Sequence, residues 1–138
     1  MRHFLKGIYA CLVGALLSVN YVHIAVATEQ VVGAGVIRYQ GAEPDAASRA
    51  GALYQAKQDA LENFVLYLRG NGQFPPDRMR TYLDHKDRIE ASVDQYLVDV
   101  RVLDERVDET THLYSVKIRA TINLPAFNKD TVMFSTVR

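Results

Sequence analysis

The sequence carries no surplus of charge of either sign: 16 Lys and Arg stand against 16 Asp and Glu over 138 residues. A dedicated nucleic-acid binder carries a clustered basic excess, so that class is excluded. Cysteine is nearly missing as well, Cys11 being the only one. There is no internal repeat, no low-complexity tract and no linker long enough to divide the chain. With 49% apolar and 23% charged residues the composition is that of a folded chain, and the length suits one domain.

Acidic residues are also lacking before Glu29. Arg2 and Lys6 precede a mostly apolar run from Ile8 to Ala27, centred on Leu12 to Val19 and ending in Ala25-Val26-Ala27. Small residues such as Ala25 and Ala27 are what a signal peptidase pocket accepts, and residues 1–27 read as a signal peptide cleaved after Ala27. An uncleaved anchor is the competing reading, since about 20 apolar residues span a bilayer. Asn20 and His23 interrupt the run, and both are costly to leave unpaired in hydrocarbon. Cys11 lies ahead of most of the apolar run rather than just after it, which is the wrong place for a lipoprotein cysteine. The remaining domain, residues 28–138, then has no cysteine and must fold without disulfides or a thiolate nucleophile. Losing Arg2 and Lys6 leaves 14 bases against 16 acids over 111 residues, so diffuse attraction to phosphates or anionic lipid is not expected. The expected location is the periplasm, peripheral to the outer membrane, with no membrane span once the leader is gone.

What is present reads as alternating element types. Val31, Val32, Val36, Ile37 and Tyr39 favour a strand over Gln30–Gln40, with Gly33 and Gly35 on one face. A Gly-Ala-Gly phosphate turn would need further glycines opening a helix; close approach of a packed helix is the simpler meaning. Pro44-Asp45 starts a long helix that runs to Arg69, stopped by Gly70-Asn71-Gly72 and Phe74-Pro75-Pro76. Leu53, Ala56, Ala60, Phe64 and Leu68 recur at spacings of three and four, and Ala46, Ala50, Ala52, Ala56 and Ala60 supply little bulk. A second, shorter helix is expected from Asp77 to about Ala91, burying Met79, Tyr82, Leu83 and Ile89. From Val93 the period becomes two: Tyr96–Leu103 and Tyr114–Leu124 make an antiparallel hairpin around Asp108-Glu109-Thr110-Thr111, with one apolar and one polar face. Asp99, Arg101, Lys117 and Arg119 are candidates for cross-strand charge pairs on the polar face. The tail from about 124, with Leu124-Pro125, Phe127, Val132 and Phe134, can pack on its own domain or on a neighbour. The expected fold is α+β: a small antiparallel sheet of about three strands in the order β-α-α-β-β, covered by one long and one short helix.

No catalytic, cofactor or metal residues are expected. After the leader only His85 and His112 remain, 27 positions apart, and no spacing singles out a Ser-His-Asp triad or a carboxylate pair. Zinc and calcium patterns are missing too. Asp84 and His85 are neighbours on a helix and diverge by about 100° around its axis, too far to share a small ligand.

The Gly-Ala-Gly strand, Ser48-Arg49-Ala50 followed by Ala56 and Asp59-Ala60, and the terminal strands Tyr96–Leu103 and Tyr114–Leu124, taken with the leader, resemble the N-terminal domain of flagellar assembly protein T. They are also similar to the small outer-membrane lipoproteins of flagellar basal disks, which carry a lipidated cysteine that this chain does not have. The resemblance covers nearly all of residues 28–138 and brings no catalytic motif with it. It implies a non-catalytic periplasmic assembly module that binds cell-envelope proteins, copies of itself included, in a ring around a flagellar rod or another envelope-spanning machine. The alternative is a periplasmic binder of a small ligand or peptide, using the open hairpin face or the sheet edge.

Overall fold

The computed structural model describes residues 29–136; the cleavage site expected at Ala25 and Ala27 lies outside them. In chain order the elements are β1 (Glu29–Arg38), α1 (Ala46–Gly70), α2 (Pro76–Asp84), α3 (Lys86–Ala91), a 3₁₀ turn (Val93–Gln95), β2 (Leu97–Asp108), β3 (Leu113–Ile122) and α4 (Leu124–Thr136). The three strands form one antiparallel sheet in the order β1-β3-β2, with the helices packed against one face. This is the expected α+β class with two additions. The second helix is divided at His85, whose backbone (φ −116°, ψ 15°) ends α2 before α3 begins. Neither glycine nor proline marks that break, so the periodicity reads straight through it. Leu83, expected in the core, is consequently 55% exposed, while Tyr82 and Ile89 are buried. The tail forms α4, and its start signal was available: Asn123 Oδ1 accepts from Ala126 N at 3.3 Å, and Pro125 occupies the first turn, where a missing N–H is no loss.

Both ends of α1 are held by local chemistry. Asp45 Oδ1 accepts from Ser48 N at 2.7 Å, which satisfies an N-terminal donor and holds the Asp45 carboxyl below its ordinary value. At the other end Gly72 takes φ +67° and Gln73 N donates to Leu68 O at 2.9 Å. Because the folded-state pKa of Asp45 is lowered, its cap contributes stability above the ordinary carboxylate range and loses it as pH falls through the folded value. Urea melts at pH 7 and at about pH 3 therefore have a defined outcome. Asp45→Ala lowers stability at pH 7, and the drop from neutral to acid is smaller in the variant than in the native protein.

The core lies between α1 and the inner face of the sheet. Ala52, Ala56 and Ala60 of α1 are fully buried over Gly33 and Gly35 of β1, so the strand glycines mark the close approach of a helix. Leu61, Phe64, Val65 and Leu68 continue the buried stripe toward Tyr82, Ile89, Val93 and Ile122. On β3, Tyr114, Val116, Ile118, Ala120 and Ile122 all face inward. The tail packs on its own domain: Phe127 is fully buried against Phe64, Phe74 and Tyr96. Arg78 of α2 reaches Thr131 Oγ1 at 3.1 Å and also donates to Asn128.

The expected alternation fails on β2. Register shifts fall between Val98 and Arg101 and between Val102 and Asp104, each inserting one extra residue opposite β3, and Asp99 takes φ 51°. Val98 pairs with Thr121 and lies on the outer face, whereas Leu97 and Val102 pair with Ile122 and Ile118 and lie on the helix face. The expected cross-strand charge pairs do not form. Arg101 stands opposite Arg119, and Asp104, not Asp99, stands opposite Lys117. Asp99 and Asp104 instead pair along their own strand, with Arg101 at 3.5 Å and Arg106 at 3.0 Å.

Candidate functional site: the outer edge of the second strand

A three-stranded sheet has two edges, and each presents unpaired backbone N–H and C=O groups. Here the two are treated differently. On β1 three of the outward groups are met by a ladder of side chains from α1. Gln55 Oε1 accepts from Val36 N at 3.3 Å, Asp59 Oδ2 accepts from Ala34 N at 2.9 Å, and Asn63 Nδ2 donates to Val32 O at 2.9 Å. Residues four apart lie one above another on a helix, so a single polar stripe of α1 closes the edge. The glycines make this possible, because only a bare strand lets α1 come low enough for these short side chains to reach the backbone. Gln55, Asp59 and Asn63 carry a sequence signal, polar residues at i, i+4 and i+8 beside the alanine stripe, but in the sequence it reads only as a solvated face.

No such ladder covers β2. Its 12 residues form the other edge, and the outward backbone groups have no partner among the described residues. From Arg101 to Asp108 every residue is exposed, including Val102 at 52%, Leu103 at 44% and Val107 at 44%. Along this exposed stretch the helix layer reaches the strand through Arg49, whose Nη1 lies 3.3 Å from Glu105 Oε1 and whose guanidinium stacks 5.1 Å above the Tyr114 ring. The Tyr114 hydroxyl donates to Glu105; burial first, and the carboxylate next to it, push that phenol up. Glu105 is thus committed within the chain. Val102, Leu103 and Val107 are large apolar side chains beside open backbone, the composition of a strand that pairs with another strand.

Other features are less suited to function. The outer sheet face holds Lys117 and Arg119, which have no ion-pair partner among the described residues; Arg119 stands between Val32 and Arg101, and Lys117 between Ala34 and Asp104. A cleft of about 570 Å³ between the end of α1 and α2 is lined by Phe74, Met79 and Leu83 together with Arg69, Arg80 and Asp84. Asp84 and His85, weighed as a couple from the sequence, end one helix and begin a break, and His112 tilts against Tyr39 with ring centroids 5.1 Å apart. Among the described residues, no group of three or more His, Cys, Asp or Glu side chains is placed to hold a metal ion, and no helix is long and apolar enough to cross a membrane. Comparisons with family models, curated proteins and solved structures find no match to this chain.

Proposed function

We propose that this chain is an exported, non-catalytic assembly module of the cell envelope that binds protein by adding a strand to the β2 edge. One observation carries the proposal: Gln55, Asp59 and Asn63 of α1 bond to the edge of β1, while the 12 residues of β2 have no such cover among the described residues and leave Val102, Leu103 and Val107 exposed. An edge left in that condition is an aggregation hazard unless it has a partner. The signal-peptide pattern of residues 1–27 supports the periplasm as the place of that partner. The resemblance to flagellar assembly protein T and to the disk lipoproteins supports a ring around a rod, or another envelope-spanning machine, as the setting. No nucleic acid and no cofactor enters this reading.

Photo-crosslinking in living cells tests it. With a crosslinking side chain in place of Leu103, the protein expressed from its whole sequence forms an adduct with an envelope protein identifiable by mass spectrometry. The same substitution at the exposed Glu43 does not. Absence of an adduct at position 103 overturns the reading. The cleft at Phe74, Met79 and Leu83 favours one alternative, a binder of a small amphipathic anion. A partnerless protein whose melting temperature rises with such a ligand would establish that instead.

A further inference from the structure

We propose that the strand added at β2 is β2 of a second copy of this chain, paired antiparallel about a two-fold axis between Val102 and Leu103. This rests on the reading of β2 as the docking edge. The charge order of the strand carries it: Asp99, Arg101, Asp104 and Arg106 alternate as acid, base, acid, base once Glu105, already held by Arg49 and Tyr114, is set aside. In the two-fold register Arg101 meets Asp104 of the second copy, and Arg106 meets its Asp99. Symmetry repeats each contact, so four ion pairs form across the junction. Within β2 no other antiparallel self-register sets both arginines against acids. Moving the axis by one residue, to lie between Leu103 and Asp104, puts Arg101 against Arg106 and Leu103 against Asp104.

Facing and shape agree with this register at its centre, from Val100 to Glu105. Arg101 and Asp104 both lie on the outer sheet face, since they pair with Arg119 and Lys117 of β3. Directly opposed residues share a face, so the two charges fall on the same side of a joined sheet. Val102 and Leu103 flank the axis and meet their counterparts, covering two exposed apolar side chains of the strand. The irregularity between Val102 and Asp104 kinks β2, which discourages a generic straight strand. A two-fold axis at that point sets kink against kink. The junction also answers an internal tension. Arg101 stands opposite Arg119, a like-charge apposition that costs stability in the single chain, and an acid brought beside Arg101 offsets it. The product is a continuous six-stranded antiparallel sheet whose two outer edges are the β1 strands already sealed by α1.

Sedimentation equilibrium on the protein purified after expression of its whole sequence tests the pairing by charge exchange. The native protein has twice the chain mass. Arg101→Asp and Asp104→Arg each weaken self-association by roughly 10- to 100-fold, since each reversal makes two attractive contacts repulsive. The double variant Arg101→Asp/Asp104→Arg restores it, which a merely structural role for either residue would not produce. Arg101→Asp relieves the apposition with Arg119 and gives up the exposed pair with Asp99, so its dissociated form melts close to the native chain at equal dilution. That melt separates lost pairing from lost folding. A native protein of single-chain mass, or a double variant no better associated than the single ones, overturns the two-fold pairing. If position 103 still crosslinks to a different envelope protein, the docking edge stands and only its occupant was misassigned; no adduct of any kind removes both.

Discussion

Gly35→Ala destabilises the protein by about 3 kcal/mol or more, at the upper end of what overpacking costs. A Cβ at position 35 would lie 2.0 Å from Ala52 O and 2.8 Å from Ala56 N, and one at Gly33 would lie 2.1 Å from Ala56 O and 2.5 Å from Ala60 N. The obstacle in each case is helix backbone, which cannot rotate aside as a side chain can. Relief requires α1 to lift from β1, and lifting it also breaks the bonds from Gln55, Asp59 and Asn63 to the strand edge. The loss is a large share of a total stability of order 5–15 kcal/mol, so Gly33→Ala/Gly35→Ala is expected not to fold. Gly51→Ala provides the contrast. Its Cβ would meet only the end of the Ile37 side chain, at 2.5 Å, and helix propensity favours alanine there by up to about 1 kcal/mol. Urea denaturation of the variants measures the difference. A Gly35→Ala protein within 1 kcal/mol of native stability would show that the helix does not sit this low.

Phe127→Ala has a comparable effect, about 3–5 kcal/mol. Phe127 is fully buried and meets Phe64 and Tyr96 edge-on, with centroids at 5.3 and 6.1 Å, and stacks near Phe74 at 6.2 Å. Arg78 lies over the same rings, 5.0 Å from Phe74 and 6.0 Å from Phe127, and its bonds to Thr131 and Asn128 hold α4 in register. Truncating this ring leaves a cavity between α1, α2 and α4 that their backbones cannot collapse to fill. The sequence left two destinations for the tail, its own domain or a neighbour, and thermal melts together with mass in solution separate them. Loss of stability with unchanged association is the expected result, because the contacts of Phe127 lie in the domain core and not on the outward flank of β2. A change in association at native stability would make α4 an interface helix instead.

The legible parts of the fold are those written in short stretches of chain. The span of α1 follows from Asp45 at its start, Asn71-Gly72 at its end and the apolar spacing between them. The alternation Tyr114, Val116, Ile118, Ala120, Ile122 places β3 without ambiguity, and every one of those residues is buried. The break at His85 was not legible, because no local breaker announces it. Nor were the β2 irregularities, since an alternating pattern assumes one residue opposite one, and only the register with β3 shows where two residues face one. The candidate site suffered most from this. Asp99, Arg101, Lys117 and Arg119 are visible in the sequence as charges, yet their partners depend on a shift that no periodicity encodes.

By itself, then, the sequence determined the class of the protein: an α+β domain of one sheet and covering helices, a cysteine-free core and a glycine-marked helix seat. These follow from propensity, capping and spacing, all of which act between residues near in the chain. The tertiary structure alone decided which sheet edge is sealed and which is open. Gln55, Asp59 and Asn63 lie between 19 and 31 positions from the backbone groups they satisfy. An exposed edge is a property of what is missing beside a strand, and that is settled only when the helix layer has packed and the strand order is complete.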